Sequence, residues 1–445
     1  MRKGIMAFES MDGEVDGGAD VAEFAESAES DIIEMDEANN NIQGLDDGMD
    51  EAEETADTLD KMGESLGEAA EDGGISEPAA EAVRVAVEHL CARIGMPAGT
   101  RVMPSMESFG DRSSRVAATM EAMDGIKARA KSIWEAIVKV FNQAIDWVKD
   151  FFRKLTDGSL KLKKRAEKII TETGKLGSKT IKADAKIAAG GFGKQLVVGD
   201  KIPEGSDFVS KVGEYSKTQK ELNTKIKGMS DNGKNAVKDI MSAVESGDAL
   251  KEKIGKAAKT MLGMWTGKNS SNTELQIDGM QLGEYALIFG NKSFYSRVPM
   301  HMETQKEDAA FEEMIKNTKF TVANSAGEKE AKELAKEITA LQKEEIKSVA
   351  TAIKANMELY KDYNKEIKAL EESRDSVRKG MDRVKNAFSE SDRTAARIAK
   401  IYVSALTAGA SSLRSYDIKT CKAALDYCTA SLKSAGAPEA KKEGK

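Results

Sequence analysis

Histidine and cysteine are scarce in this chain of 445 residues: there are two His (His89, His301) and three Cys (Cys91, Cys421, Cys428). A zinc site of Cys and His draws on about four ligands at short spacings, and a redox pair needs two close thiols. Neither can be assembled here, so ordinary metal and thiol chemistry is excluded. Cys421 and Cys428 stand seven apart, which on a helix means a rise of roughly 10 Å, beyond the reach of a disulfide. Three thiols suit a reducing compartment. Aromatics make up only 5% of the chain while charged residues make up 32%, a balance that favours long solvated helices over a large, tightly packed core.

Long apolar runs are also missing. Met1 to Phe8 carries Arg2 and Lys3 but no apolar stretch of signal-peptide length behind them, so no leader is expected. The longest helical run without a charge, Ile401 to Leu413, is too short and too rich in Ser, Thr and Gly to cross a bilayer of about 30 Å. The expectation is a soluble protein made inside a cell.

What the chain does have is charge, unevenly placed. Residues 1–107 hold 28 acidic and 6 basic side chains, a net of −22, whereas residues 108–445 hold 47 acidic and 61 basic, a net of +14. Lys127 to Lys194 supplies most of the excess, with 17 basic and 7 acidic residues. Such an asymmetry points to a charged tail or a charged partner. From Asp12 to Gly74 the acidic part carries only scattered apolar residues, so it cannot fold alone, and disorder or transient helix is expected. Ser76-Glu77-Pro78 then begins a helix whose Val83, Val87, Leu90 and Ile94 recur at spacings of four and three, and Gly95 and Pro97 stop it. The sign of the charge changes across Met103 to Gly110, where Pro104 and Gly110 bracket a stretch expected to be extended and open to a protease.

This layout resembles the internal head proteins of phiKZ-like giant bacteriophages. The resemblance implies an acidic propeptide that directs the protein into the assembling prohead. It also implies a maturation protease that cuts after Glu in a small-residue, any-residue, Glu motif. Ser105-Met106-Glu107 before Ser108 matches that motif; Ala7-Phe8-Glu9, Ser27-Ala28-Glu29 and Ala79-Ala80-Glu81 match it too. Glu107 is favoured because it lies past the last helix of the acidic part, at the charge reversal. The family further implies mature proteins that lie with the packaged DNA inside the capsid, some of them delivered into the host with it.

The basic body reads as helical in its own right. From Ile126 to Leu155 apolar residues repeat at threes and fours, including Ile133, Ile137, Phe141 and Phe152, and Trp134, Trp147 and Phe151 widen the stripe. The helix carries seven basic and three acidic residues. Such a stripe either packs on other helices or, being basic and Trp-bearing, lies in a membrane interface or against a partner. Next come Lys161, Lys163, Lys164, Arg165 and Lys168, then Lys175, Lys179, Lys182 and Lys186 at steps of three or four, which would form one cationic ridge if helical. Lysines neutralise phosphates without reading bases, and this stretch lacks aromatic platforms apart from Phe192, so contact with double-stranded DNA should be nonspecific and salt-sensitive. Gly190-Gly-Phe-Gly lacks the Walker spacing and reads as a flexible turn.

Helices are expected at 206–227 and 234–264, then strands at Glu274–Asp278, Tyr285–Phe289, Ser293–Val298 and Lys319–Ala323, with Gly290-Asn291 as a hairpin turn. His301 between Met300 and Met302 reads as a loop residue rather than a soft-metal ligand. From Gly327 to Ser389 the pattern reads as one long helix or a closely linked pair, with Leu334, Ile338 and Leu341 opening its stripe. A straight helix of that length would span on the order of 95 Å, so it should fold back or pair as a coiled coil, offering self-association. Ser391 to Ala435 reads as two shorter helices with Tyr402, Leu406, Leu413, Ile418, Leu425 and Leu432 inward and Cys421 and Cys428 as small apolar residues. The end after Pro438 is expected to be loose.

The fold expected is therefore mainly α: an elongated helical bundle with a long coiled-coil-like helix or hairpin, a small antiparallel β insertion and a largely disordered N-terminal region. Its expected divisions are 1–107, 108–195, 196–325, 326–390 and 391–445. No nucleophile, base and orienting group can be assembled, so the protein does not read as an enzyme, and no cofactor is expected. The leading function is a virion protein inside the capsid. Its partners would be other head proteins, the prohead protease and packaged DNA. Its rivals are a membrane-active or partner-binding helix at 126–155 and a cytoplasmic nucleic-acid chaperone with an uncut acidic tail.

Overall fold

The structure, a computed structural model, describes residues 49, 51–96, 102–176, 180–242, 268–299, 317–325, 334–362, 368–369, 371–379 and 390–435. The acidic part contributes two helices, α1 over 51–71 and α2 over Glu77–Arg93. Helix α2 starts and stops as its sequence reads. The Ser76 carbonyl accepts the Ala80 amide, and Gly95, at φ +66°, ends the helix with the Met96 amide turned back onto the Cys91 carbonyl. Helix α1 is the addition: residues too acidic to fold alone fold here against the body, with Ala56, Leu59, Leu66 and Ala70 buried.

A 3-10 turn, Met106–Phe109, leads into α3, Arg112–Lys175, an unbroken helix of 64 residues. At 1.5 Å per residue it is about 95 Å long. Over 327–389, where one long helix or a closely linked pair was expected, the described residues hold a strand and separate helical stretches. Residues Glu337–Thr339 instead form strand β6, paired antiparallel with β1, Lys186–Ala188, Ile187 opposite Ile338. Leu334, Ile338 and Leu341 do turn inward, but their spacing of four and three is met by a strand and its flanks. Helix α4 runs unbroken over Gly205–Ser242 where two helices were expected; the remainder of 234–264 lies outside the described residues. Helix α5, Lys343–Glu358, begins where the Glu345 carboxylate accepts the Gln342 amide, a capping arrangement that closes off the preceding strand. It is followed by a 3-10 turn, Leu359–Asp362, and by helical residues 371–379.

The small sheet has the order β2-β3-β4-β5: Lys268–Asn269, Met280–Ala286, Lys292–Pro299 and Lys319–Asn324, each antiparallel to its neighbour. Gly290 (φ +72°) and Asn291 (φ +49°) make the turn between β3 and β4, the conformation their residue types favour. Glu274–Asp278 is turn rather than strand, the pairing beginning at Met280.

Helix α6, Glu390–Lys433, is one helix of 44 residues, not two. It runs through the middle of the molecule against α3, α4, α5 and β5, and from Ser411 to Cys428 nearly every residue is buried. At Gly409 the sheet rides directly on it: a Cβ there would meet the Phe320 Cβ at 2.6 Å. Leu413, Ile418 and Leu425 are inward as expected, and Leu432 packs at the margin. Gly190-Gly-Phe-Gly forms a 3-10 turn running into a short helix, with Phe192 stacked on Tyr427 at a centroid distance of 5.4 Å and Gly193 against Ile202. All three cysteines are buried and free. His301 and the end after Pro438 lie outside the described residues.

Candidate processing site and basic face

Ser105 and Glu107 are exposed, as a processing site requires, but the segment is not extended. The Ser108 amide donates to the Ser105 carbonyl at 3.0 Å, and the Glu107 carbonyl accepts the Gly110 amide at 3.2 Å. Both hydrogen-bonding groups of the Glu107–Ser108 peptide are therefore engaged in the turn. Phe109, two residues past Glu107, is 0% exposed. Its carbonyl accepts the Arg115 guanidinium, and the Ser108 carbonyl accepts the Ser114 hydroxyl. A protease that binds substrate as a strand must first lift this turn from α3. On its N-terminal side the chain crosses α3 so closely at Gly125 that a Cβ there would lie 2.3 Å from the Val102 carbonyl oxygen. Residues 102–111 form a strap fastened at both ends.

The acidic helices dock beside that strap. A Cβ on Gly63 would come within 3.0 Å of the Lys127 stem, one on Gly67 within 3.2 Å of the Met123 sulfur, and the Ile75 amide donates to the Thr119 hydroxyl. Helix α1 thus runs antiparallel to residues 115–130 of α3. At its start Glu53 meets Lys400 of α6 at 2.9 Å, with side chains 2% and 1% exposed. Arg93 reaches back from α2 to Glu51 and Glu54. Of the other motif matches, Ala79-Ala80-Glu81 lies inside α2, with Ala80 buried and Glu81 paired to Arg84. Ala7-Phe8-Glu9 and Ser27-Ala28-Glu29 lie outside the described residues.

The cations expected to meet phosphate divide by environment. Lys164 and Lys175 on α3, Lys182 in the loop and Lys186 on β1 are exposed; Lys161, Lys163 and Lys168 are half-buried; Lys179 lies outside the described residues. Helix α3 ends at Lys175, so Lys175 to Lys186 is not one helical ridge. Arg165 leaves the set. It is 2% exposed, pairs with Asp426 at 2.7 Å and donates to the Thr429 hydroxyl, bolting α3 to α6. Lys163 pairs with Glu358. Lys161 stands 34 positions beyond Lys127, which lies beneath α1, about 50 Å along the helix. The docked acidic helices therefore do not cover the exposed lysines.

The model of the phiKZ-like phage internal head proteins matches residues 19–430, from within the acidic part, across the charge reversal, to the last turns of α6. The chain belongs to this family. No curated protein and no solved structure matches it. As an internal head protein it resides inside the phage capsid among the other components of the head.

In this internal head protein the described part of the apolar face of residues 126–155 is packed. Trp134, Ile137, Phe151 and Phe152 are buried in the common core, which favours the packing reading over the membrane reading. Phe141 and Trp147 lie on the same helix, their side chains outside the described ones. Among the described residues no helix is long and apolar enough to cross a membrane, and no three His, Cys, Asp or Glu side chains gather as a metal site.

Sequence reading missed the polar side chains of α6. Asp417, fully buried, accepts hydrogen bonds from the hydroxyls of Tyr215 on α4 and Tyr360 beyond α5. Burial holds its carboxyl well above the usual carboxylate range, and burial likewise pushes the Cys421 thiol up. Tyr416 donates to the Phe289 carbonyl and accepts the Phe289 amide; Tyr427 donates to the Thr339 carbonyl; Ser431 accepts the Leu341 amide. These groups pin loop backbone to the central helix. The one sequence signal was their density, since the helix carries Arg414, Asp417 and Thr420 among apolar residues where a one-sided stripe is expected.

Proposed function

We propose that this internal head protein enters the assembling head through its acidic segment, is cut there after Glu107 by the prohead protease, and persists as a basic body, residues 108–445, against the packaged double-stranded DNA. The observation that carries this reading is the place of the charge reversal. It falls in the turn between α2 and α3, where Glu107 itself is exposed, so a cut after Glu107 interrupts neither helix. With its first 107 residues the chain carries −8, and without them +14. The two described acidic helices do not cover the exposed lysines, so their departure acts through net charge. Charge of that sign attracts a polyanion at long range, and lysine supplies it without base preference.

The N-terminus of the protein recovered from particles tests the scheme. Intact mass and N-terminal sequencing should give a chain beginning at Ser108. A full-length chain beginning at Met1 in mature particles refutes processing and leaves a helical head protein without a basic mature form. DNA affinity that is equal with and without residues 1–107 would count against the electrostatic part of the proposal.

A further inference from the structure

The acidic helices do not hang from the body; they complete it. Ala56, Leu59, Leu66, Ala80, Val87 and Cys91 belong to the same continuous core as Ala118, Ala122, Ile126 and Ala130 of α3. Gly63 and Gly67, one turn apart, let α1 sit backbone-close on Lys127 and Met123. Near the start of α1 lies the ion pair of Glu53 and Lys400. The two side chains are almost wholly withdrawn from solvent, and breaking a buried pair by removing one member is strongly destabilising, so the contact favours a carboxylate at that spot. None of these contacts is made by residues 97–107.

From this arrangement we infer that the groove on α3 and α6 is a binding site for a separate acidic helix, and that its occupant after scission is the chain's own residues 49–96, held noncovalently. Cutting and release are then two events. The cut alone leaves the two pieces together near the original net charge, and the +14 body appears only when the acidic piece departs. In its biological consequence the inference rests on the proposed cut near Glu107; the docking itself does not.

The test uses the full chain with a recognition sequence for a site-specific endopeptidase inserted between Met96 and Val102. After complete cutting, gel filtration at micromolar concentration in 0.15 M and 1 M salt should keep both pieces in one peak, since a buried pair is little screened. An acidic piece eluting alone in 0.15 M salt overturns the inference. In the cut protein Glu53→Gln should weaken retention at least a hundredfold, while Glu53→Met combined with Lys400→Met should restore it to within tenfold of the parent, because a hydrophobic pair of similar volume can replace a buried ion pair. Unchanged retention in E53Q would remove the ion pair as the specific contact, and recovery in the double variant controls for misfolding. The two readings fail separately. Particles holding an uncut chain would sink the natural cut and leave the docking standing, whereas separation of the engineered pieces would sink the docking alone.

Discussion

Gly125→Ala sets two well-defined effects of opposite sign against each other. In the interior of a helix, alanine in place of glycine is favourable by about 1 kcal/mol. Against this, the new Cβ would stand 2.3 Å from the Val102 carbonyl oxygen, where ordinary C···O contacts lie at roughly 3.3–3.6 Å. The strap must therefore retreat by on the order of 1 Å, and overpacking of this kind costs about 1–3 kcal/mol. Helix α3 is held along much of its length, whereas the strap is held at Val102, Met103 and the Phe109 turn, so the strap is what yields. Its opening should become easier by about 1–3 kcal/mol, which is roughly 5- to 150-fold in the open population. When opening is fast relative to cutting, cleavage tracks that population. A Glu-specific endoprotease should accordingly cut the Glu107–Ser108 bond at least fivefold faster in G125A, with no loss of helical signal in the uncut variant. A cutting rate equal to or below the parent's would refute the strap as the element that guards this bond.

Replacing Lys164, Lys175, Lys182 and Lys186 together by Gln should lower the affinity of residues 108–445, released from their acidic piece, for duplexes of any sequence, and reduce the slope of log affinity against log salt by about 0.9 for each phosphate no longer neutralised; fluorescence anisotropy between 50 and 200 mM salt measures it, and an unchanged slope removes these lysines from the interface. Arg165→Gln should instead destabilise the fold by about 1.5–3 kcal/mol in urea, as the removal of a charged hydrogen bond does, with the salt slope unaltered. Asp417 is raised by burial, so the folded chain keeps a proton that the unfolded chain loses near pH ~3.9. Its contribution to stability is complete below that pH and is lost as pH rises through the folded value. Urea midpoints for Asp417→Asn between pH 4 and 8 should fall less steeply with pH than the parent's, and parallel profiles would contradict a protonated buried carboxyl. Gly409→Ala should destabilise by about 1–3 kcal/mol despite its better helix propensity, because its Cβ would strike Phe320; a neutral result would show that the sheet does not ride on α6 at that point.

The division of charge at residue 107, the helical stripe within α3, the bounds of α2 and the hairpin at Gly290-Asn291 were all legible before any packing was known, because they depend on local composition, period and backbone preference. Features that depend on distant residues were not. Ile338 fits a helical stripe by spacing, yet pairs as a strand with Ile187, some 150 residues earlier. Helix α6 lacks a clean amphipathic face because it is enclosed by α3, α4, α5 and β5, and a helix buried all round has no solvent side to pattern. Arg165 is indistinguishable from its neighbouring lysines in the sequence, and only the approach of Asp426 turns it from a surface cation into a bolt. Likewise an acidic segment that could not bury enough surface alone became two helices once α3 and Lys400 supplied the apolar face and the counter-charge it lacks.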